Sequence, residues 1–281
     1  MSDRILEVEN LSVEFATYGG NVKAVRGVSF HVNRGETLAI VGESGCGKSV
    51  TVQAIMGIIP MPPGKITGGS ARLNGKDILG LPAKQANQFR GVEIGMIFQD
   101  PMTSLNPTMT IGDQISETLM VHRGLSYKDA SALAVQLLDK TKIAEAAKRA
   151  KQYPFEFSGG MLQRAMIAQS LACNPAVLMA DEPTTALDVT IQAQIMELLG
   201  SLKERFGMAV ILITHNFGIV SGFASRVLVM YRGRIVEQGL TEEILRHPQH
   251  AYTRALIDCI PQLGSKAKRL KTIDHAAIEA A

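Results

Sequence analysis

The chain has 281 residues, of which 46% are hydrophobic and 20% are charged, and its formal net charge is +3. These values exclude an intrinsically disordered chain, and the sparse, aperiodic distribution of 26 glycines and 11 prolines excludes a fibrous one. Even the apolar run at residues 208–213 is far shorter than the roughly 18 residues needed to cross a bilayer. So small a net charge does not indicate a nucleic-acid partner, and we expect none.

Export and disulfide formation are not expected. The sequence does not open with a basic segment followed by an apolar stretch and a small-residue cleavage site. Its three cysteines, Cys46, Cys173 and Cys259, form no C-x-x-C pair. We therefore expect free thiols rather than a zinc or redox centre.

Short extended runs open the chain. Residues 5–9 and 28–32 are the first strand candidates, and a polar loop at residues 17–21 lies between them, which predicts a small, partly antiparallel sheet. Residues 38–41 are continuously apolar, as is typical of a parallel strand buried on both faces. A helix is predicted after them, through Ile55.

Later apolar runs alternate with segments of helical periodicity, which predicts an α/β fold. The strand candidates are residues 94–98, 177–180, 209–213 and 227–230. Between 112 and 151 no strand candidate occurs, and Ser126-x-x-Asp129 before regularly spaced leucines predicts a helix start. Two short helices are predicted after the last strand, through residues 243–246 and 252–257.

Residues 42–49 match G-x-x-x-x-G-K-[ST], the pattern of a phosphate-binding loop. The strand before them and the helix after them let the glycines bend the backbone, so that N–H groups and the helix N-terminus face phosphate oxygens. Lys48 is expected to reach the β- and γ-phosphates of a nucleotide, and the Ser49 hydroxyl to bind Mg²⁺. The candidate nucleotide-binding residues of this segment are Gly42, Glu43, Ser44, Gly45, Cys46, Gly47, Lys48, Ser49 and Val50.

Two carboxylates follow the apolar run at residues 177–180. Asp181 is expected to hold Mg²⁺, and Glu182 to accept a proton from the attacking water. Alone, two neighbouring carboxylates would be an ordinary solvated loop. Together with the phosphate loop they predict an ATP site that uses Mg²⁺.

Residues 157–163, Phe-Ser-Gly-Gly-Met-Leu-Gln, resemble the signature sequence of ABC-type ATPases. Gln99 resembles the glutamine loop of that family, residues 186–188 its D-loop and His215 its switch histidine. Asn216 replaces the aspartate that usually follows this histidine, so position 216 is left out of the predicted site.

These motifs cover most of residues 5–240 in the family's order. The resemblance implies a P-loop NTPase core of the RecA-like type, with an N-terminal antiparallel β subdomain and an inserted helical subdomain at about residues 105–170. We expect one ABC ATPase domain over residues 1–263 and a loosely ordered tail at residues 264–281.

The resemblance also implies a role for each motif. Gln99 would contact Mg²⁺ or the attacking water, and His215 would sense the γ-phosphate or orient water. Ser158, Gly159 and Gly160 would bind the γ-phosphate of ATP held by a second subunit, since a helix N-terminus presents N–H groups and a favourable dipole. Closure of the two subunits around ATP would then be part of the catalytic cycle.

The predicted catalytic residues are Lys48, Gln99, Glu182 and His215, and the predicted Mg²⁺ ligands are Ser49, Gln99 and Asp181. Tyr18 is the candidate for stacking on adenine, with Phe15 or an ordinary packing role as the alternatives.

Three segments narrow the resemblance to the ATP-binding subunits of dipeptide, oligopeptide and nickel importers. They are residues 99–107, the Phe-Ser-Gly-Gly-Met form of the signature, and His247-Pro248 followed by residues 251–256. The resemblance implies an ATP-hydrolysing subunit that energises uptake of dipeptides or oligopeptides through two integral membrane permease subunits, with an extracytoplasmic solute-binding protein as an indirect partner. It also implies a peripheral location on the cytoplasmic face of the bacterial inner (plasma) membrane.

The signature form is typical of one of two non-identical ATPases, so we expect a heterodimer, with a homodimer as the alternative. Subunits of this group often carry a cysteine-rich tail that holds an iron–sulfur cluster, but only Cys259 lies near the end of this sequence, so no cluster is expected. Import of nickel, opines or glutathione by the same machinery stays open.

Two rival functions are a soluble ABC-type ATPase and a nucleotide-responsive scaffold without turnover. The sequence shows no second cassette or coiled-coil insertion, which argues against the first. It contains Glu182 and His215, which argues against the second.

Overall fold

The computed structural model describes residues 3–185 and 187–259, together with Ile273, His275 and Ile278. The chain divides into two compact units. The first unit comprises Met1–Gly80 and Leu212–Ala281, and the second unit comprises Leu81–Ile211. The predicted tail at residues 264–281 lies outside the described residues except for those three positions.

The described residues form ten strands and eleven α-helices. The strands are β1 Arg4–Thr17, β2 Gly20–Asn33, β3 Thr37–Val41, β4 Gly64–Leu73, β5 Lys76–Asp77, β6 Ile94–Ile97, β7 Val177–Asp181, β8 Ala209–Thr214, β9 Arg226–Tyr231 and β10 Arg234–Leu240. The helices are α1 Lys48–Met56, α2 Ala83–Ala86, α3 Pro101–Ser104, α4 Ile111–Arg123, α5 Tyr127–Lys140, α6 Ala146–Arg149, α7 Gly159–Ser170, α8 Val189–Phe206, α9 Phe217–Ser221, α10 Thr241–Arg246 and α11 Ala251–Asp258.

The first unit begins with the predicted antiparallel sheet, in the strand order β2-β1-β4-β5. Val28, Phe30 and Val32 are buried at alternate positions of β2, which is the spacing of a strand with one face on a core. β1 is longer than predicted because it continues through a register shift after Val8, where Asn10 has a φ of 51°.

A second group of strands in the first unit carries the phosphate loop. β3 is buried over its whole length and pairs in parallel with β9, with Leu38 opposite Arg226. β10 pairs antiparallel with β9 and was not predicted. The burial of β3 confirms the expectation of a strand covered on both faces, and it fixes where the chain enters residues 42–49.

The second unit combines a parallel pair of strands with a helical segment. β6 and β7 pair in parallel, with Ile94 opposite Val177. From α3 to α7 the chain contains helices and no strand, as predicted. The buried core of this segment includes Leu105, Ile111, Ile115, Leu119, Leu137, Leu138, Phe157 and Leu162.

The helix starts of this segment follow the local sequence. Thr110 accepts a hydrogen bond from the Asp113 N–H at the start of α4, and Ser126 accepts one from the Asp129 N–H at the start of α5. The predicted capping pattern at Ser126 is therefore confirmed. In the described part of the chain, no helix combines the length and the apolar character required of a membrane span.

Candidate functional site

The phosphate-loop segment, residues 42–49, forms a tight turn over residues 42–47 between β3 and α1 in the first unit, and its last two residues begin α1. Gly42 and Gly47 have φ values of 153° and 106°. A Cβ atom at Gly42 would lie 2.2 Å from the carbonyl oxygen of Met230, and one at Gly47 would lie 2.4 Å from that of Ala24. Neither position has room for a side chain, and both φ values favour glycine. The two glycines therefore allow the tightly curled backbone that a phosphate cradle requires.

The Lys48 side chain lies across this loop. Only 4% of the residue is exposed, and Nζ donates hydrogen bonds to the carbonyl oxygens of Gly42 and Glu43, both at 2.8 Å. Burial raises the pKa of the neighbouring Cys46 thiol, although the Lys48 ammonium partly opposes this effect. The thiol therefore stays neutral. The positive charge of the Lys48 ammonium group suits a loop that binds phosphate.

The remaining loop residues differ in exposure. Ser44 and Gly45 are exposed, whereas Ser49 and Val50 are half-buried in the first turn of α1. The backbone N–H of Glu43 donates a hydrogen bond to the hydroxyl of Tyr252 in α11, at 3.0 Å. The loop is thus held by a residue that the sequence analysis did not identify as part of the site.

The second unit brings Gln99 and Glu182 together. Gln99 Nε2 donates a hydrogen bond to Glu182 Oε2 at 3.0 Å, and the hydroxyl of Thr185 donates to the same oxygen at 2.9 Å. Asp181, at the end of β7, is 3% exposed, and Glu182 has a φ of 46°. Asp181 is therefore buried at the end of the strand, whereas the Glu182 carboxylate is held by Gln99 and Thr185.

The signature segment opens α7. Ser158 is exposed at the N-cap position with no side-chain capping hydrogen bond, and Gly159 is exposed beside it. Phe157 is buried in the helical core. A Cβ atom at Gly160 would lie 3.0 Å from Ile191 Cγ2, so the chain passes closely there. The segment thus presents a hydroxyl at the N-terminus of a 12-residue helix.

His215 and Tyr18 lie in the first unit. His215 follows β8 and is exposed, and the side chain of the next residue, Asn216, accepts a hydrogen bond from the Gly218 N–H at the start of α9. Asn216 therefore has a capping role at the start of α9. Tyr18 is fully exposed in the turn between β1 and β2, and its role in stacking on adenine stays a prediction.

A family model described as "ABC transporter" matches residues 25–185, which is more than half of the chain. The chain belongs to the ABC transporter family. A second model, "Oligopeptide/dipeptide transporter, C-terminal region", matches residues 236–281.

Relatives with high identity span nearly the whole chain. The "Oligopeptide transport ATP-binding protein OppD" of Bacillus subtilis is 55% identical over 94% of this chain and 74% of that protein. The "Dipeptide transport ATP-binding protein DppD" of the same organism is 51% identical over 97% of this chain and 81% of that protein.

Solved structures support the same assignment. The dimeric post-hydrolysis state of the ATP-binding cassette MJ0796 bound to ADP and Pi has a TM-score of 0.75 and 27% identity, over 84% of this chain and 98% of that one. CbiO1 from Clostridium perfringens, part of the transporter complex cbiONQ, has a TM-score of 0.72 and 29% identity, over 88% of this chain and 92% of that one. As an ABC ATPase, this chain binds and hydrolyses ATP.

Two contacts of the site escaped the sequence analysis. Thr185 could not be predicted as a site residue, because a threonine three positions after Glu182 matches no motif. Tyr252 lies 209 positions from Glu43. Its only signal was its place in residues 251–256, a segment that carried the narrower resemblance.

The cysteines of the described chain are free thiols, as predicted. The expectation that no iron–sulfur cluster forms concerns the residues after Cys259, which lie outside the described residues apart from three positions.

Proposed function

We propose that this chain is the ATP-binding and hydrolysing subunit of an importer for dipeptides or oligopeptides. The observation that carries this proposal is the match of residues 236–281 to the C-terminal region of oligopeptide/dipeptide transporters, in a chain that also matches the ATPase model. The names of the relatives support the same solute class. Import of nickel, opines or glutathione by the same machinery is the alternative.

The phosphate loop is proposed to bind ATP. Its backbone N–H groups and Lys48 would hold the phosphates, and Lys48 would exchange its bonds to loop carbonyls for phosphate oxygens. The proposed Mg²⁺ ligands are Ser49, Gln99 and Asp181, whose oxygen atoms suit this cation. When bound, Mg²⁺ neutralises charge on the phosphates.

Glu182 is proposed as the base that deprotonates the attacking water. Hydrogen bonds from Gln99 and Thr185 to Oε2 fix the carboxylate in one orientation, which favours a single direction of proton acceptance. His215 is proposed to sense the γ-phosphate or orient the water. Tyr18 is proposed to stack on adenine.

Ser158, Gly159 and Gly160 are proposed to act on ATP held by a second ABC ATPase subunit. The exposed hydroxyl of Ser158 and the N-terminal N–H groups of α7 support this role, because both can donate to a phosphate. The form of the signature favours a non-identical partner, with a homodimer as the alternative.

The other proposed partners are two integral membrane permease subunits and, indirectly, an extracytoplasmic solute-binding protein. We place the chain peripherally on the cytoplasmic face of the bacterial inner membrane. Residues 1–263 are proposed to form the ATPase domain.

The experiment is reconstitution of the full chain in liposomes with candidate permease subunits and the second ATPase. Mg²⁺-dependent phosphate release is measured with solute-binding protein that is empty, loaded with a dipeptide or oligopeptide, or loaded with nickel. We expect the peptide-loaded protein to stimulate hydrolysis. Lys48→Ala is the control that sets the background.

Two outcomes would contradict parts of the proposal. Hydrolysis that responds to nickel and not to peptide would replace the solute class while keeping the importer. Phosphate release no greater than that of Lys48→Ala in every assembly would remove the hydrolytic role and favour a scaffold.

A further inference from the structure

The hydroxyl of Tyr252 makes two contacts with one residue of the phosphate loop. It accepts a hydrogen bond from the Glu43 backbone N–H at 3.0 Å and approaches the Glu43 carboxylate oxygen Oε2 at 3.4 Å, a distance at which it can donate. The Tyr252 residue is completely buried. Its hydroxyl is therefore shielded from bulk water, and these contacts meet both its donor and its acceptor capacity.

Glu43 connects this hydroxyl to Lys48. Its N–H is bound by Tyr252, while its carbonyl oxygen accepts a hydrogen bond from Lys48 Nζ at 2.8 Å. A buried side chain of α11 is thus linked through one loop residue to the ammonium group that is expected to meet the phosphates.

Several contacts fix the position of Tyr252 itself. The Glu237 carboxylate in β10 accepts hydrogen bonds from the N–H groups of Gln249 and His250, at 2.7 and 2.9 Å. His250 Nδ1 in turn accepts one from the Tyr252 N–H at 3.1 Å. The ring of Tyr231 in β9 packs against the ring of Tyr252, with centroids 4.2 Å apart. The start of α11 is therefore anchored to β9 and β10 independently of the loop.

The ionisation of Tyr252 supports its role as a donor. Burial is the main cause that raises the pKa of this hydroxyl, and the nearby Glu43 carboxylate adds to it. The hydroxyl stays protonated at physiological pH and can keep both contacts.

We propose that Tyr252 is a positioning residue for ATP binding: its hydroxyl holds Glu43, and with it the backbone at the entrance of the phosphate loop, in the conformation that binds phosphates. The inference rests on ATP binding by residues 42–49. Pre-organisation of a loop improves affinity because less order remains to be imposed when the ligand binds. Removing the hydroxyl should therefore weaken ATP binding even though Tyr252 is not assigned any contact with the nucleotide.

The test compares ATP affinities of the full chain in the presence of Mg²⁺. Tyr252→Phe deletes the hydroxyl and keeps the ring, and we expect a Kd for ATP about three- to tenfold higher than that of the unmodified chain, the range for the loss of a hydrogen bond that orders the binding loop. Leu256→Ala is the matched packing control. It lies in the same helix, is partly buried against the same core and leaves the hydroxyl in place.

The control separates positioning from general stability. We expect Leu256→Ala to lower the melting temperature at least as much as Tyr252→Phe and to leave the Kd for ATP within twofold. If Leu256→Ala weakens ATP binding as much as Tyr252→Phe, a loosened α11 explains both results and the proposal is overturned. Unchanged affinity in Tyr252→Phe overturns it directly.

Lys48→Ala distinguishes failure of this inference from failure of the loop assignment. If Lys48→Ala binds ATP as tightly as the unmodified chain, residues 42–49 are not the nucleotide site and the role of Tyr252 fails with them. A second measurement does not depend on a variant. The Glu43 amide of the unmodified, nucleotide-free chain should exchange slowly with solvent, and exchange at the rate of an unprotected loop amide overturns the proposal.

Discussion

The phosphate loop and the signature segment both place a short glycine-containing turn before a helix, but they are built in different ways. The phosphate loop is closed, because Lys48 bonds two of its own carbonyls and Gly42 lies against the backbone of Met230. The signature segment is open, because Ser158 is exposed and makes no side-chain capping bond. The phosphate loop is held by hydrogen bonds and contacts within its own chain, whereas the signature segment exposes a hydroxyl that its own helix does not use.

This comparison separates ATP binding from ATP hydrolysis. Changes in the phosphate loop should reduce the affinity of the isolated chain for ATP. Changes in the signature segment should reduce turnover in the assembled transporter. Changes at the proposed base should affect turnover alone.

The largest effect is expected at Glu182. Glu182→Gln keeps the shape of the side chain but removes the carboxylate that accepts the proton, so hydrolysis should fall at least about 100-fold while ATP binding is retained. Phosphate release by the assembled transporter and ATP titration of the isolated chain measure the two quantities. Glu197→Gln is the control, because Glu197 is exposed and its ion pair with Lys142 lies on the surface. Near-normal turnover in Glu182→Gln would exclude this residue as the base.

Closure of the phosphate loop is tested at Gly42. Gly42→Ala places a Cβ atom 2.2 Å from the Met230 carbonyl oxygen at a φ of 153°, so the loop must move. We expect the affinity for ATP to fall at least about tenfold and the free energy of unfolding to fall by about 2–3 kcal/mol. ATP titration and denaturant unfolding measure these losses.

Gly35→Ala is the control for backbone strain alone. Gly35 has a φ of 65°, and a Cβ atom there would meet nothing within 4 Å. It should cost about 1 kcal/mol of stability and leave ATP affinity unchanged. Equal ATP affinity in Gly42→Ala and Gly35→Ala would contradict the closed-loop account.

The open signature segment is tested by comparing two helix starts. Ser126 caps α5 by accepting a hydrogen bond from the Asp129 N–H, whereas Ser158 makes no such bond at α7. Ser126→Ala should therefore lower the free energy of unfolding by about 1 kcal/mol, and Ser158→Ala should leave it nearly unchanged. In the assembled transporter, Ser158→Ala should instead reduce hydrolysis about tenfold, because a donor to the γ-phosphate is lost.

Chemical denaturation of both variants and phosphate release by the assembled transporter decide this point. If Ser158→Ala lowers the free energy of unfolding as much as Ser126→Ala does, Ser158 is an ordinary helix cap. If Ser158→Ala hydrolyses ATP as fast as the unmodified chain in the assembled transporter, the Ser158 hydroxyl is not part of the site.

The parts of the site that follow a local pattern were predictable from the sequence. Residues 42–49 carry the loop, its lysine and its helix start in one continuous segment, flanked by the apolar run that becomes β3. The strands that escaped prediction lack such a run. β4 contains three glycines and several polar residues, and its position is set by pairing with β1. β10 is only half-buried and is positioned by its pairing with β9.

The contacts that hold the site were not predictable, because they join distant segments. The hydrogen bond between Gln99 and Glu182 spans 83 positions, and the one between Glu43 and Tyr252 spans 209. The residue types at these positions have many ordinary roles. Only the fold brings each pair together. Sequence reasoning therefore identified Gln99, Glu182 and Glu43, but neither the bond between the first two nor the Tyr252 hydroxyl that holds the third.

The smallest effect is expected at Glu237, which supports the phosphate loop indirectly by anchoring the start of α11. Burial raises the pKa of Glu237, but hydrogen bonds from the N–H groups of Gln249 and His250, together with the nearby Thr253 and His250 side chains, outweigh it and leave the pKa below its ordinary value. A lowered folded-state pKa stabilises the fold above the pKa of the unfolded chain, and this contribution is lost as the pH falls through the folded-state value. Acidification should therefore loosen the start of α11 below the ordinary glutamate range.

Glu237→Gln should lower the melting temperature at neutral pH by about 2–4 °C and make its decline in acid shallower than in the unmodified chain. Glu242→Gln is the control, since its exposed ion pair with Arg246 contributes little. Because α11 carries Tyr252, Glu237→Gln should also weaken ATP binding, but less than Tyr252→Phe does. Identical acid profiles for Glu237→Gln and the unmodified chain would mean that the Glu237 carboxylate does not anchor α11, and the support of the phosphate loop would then begin at Tyr231 and Tyr252.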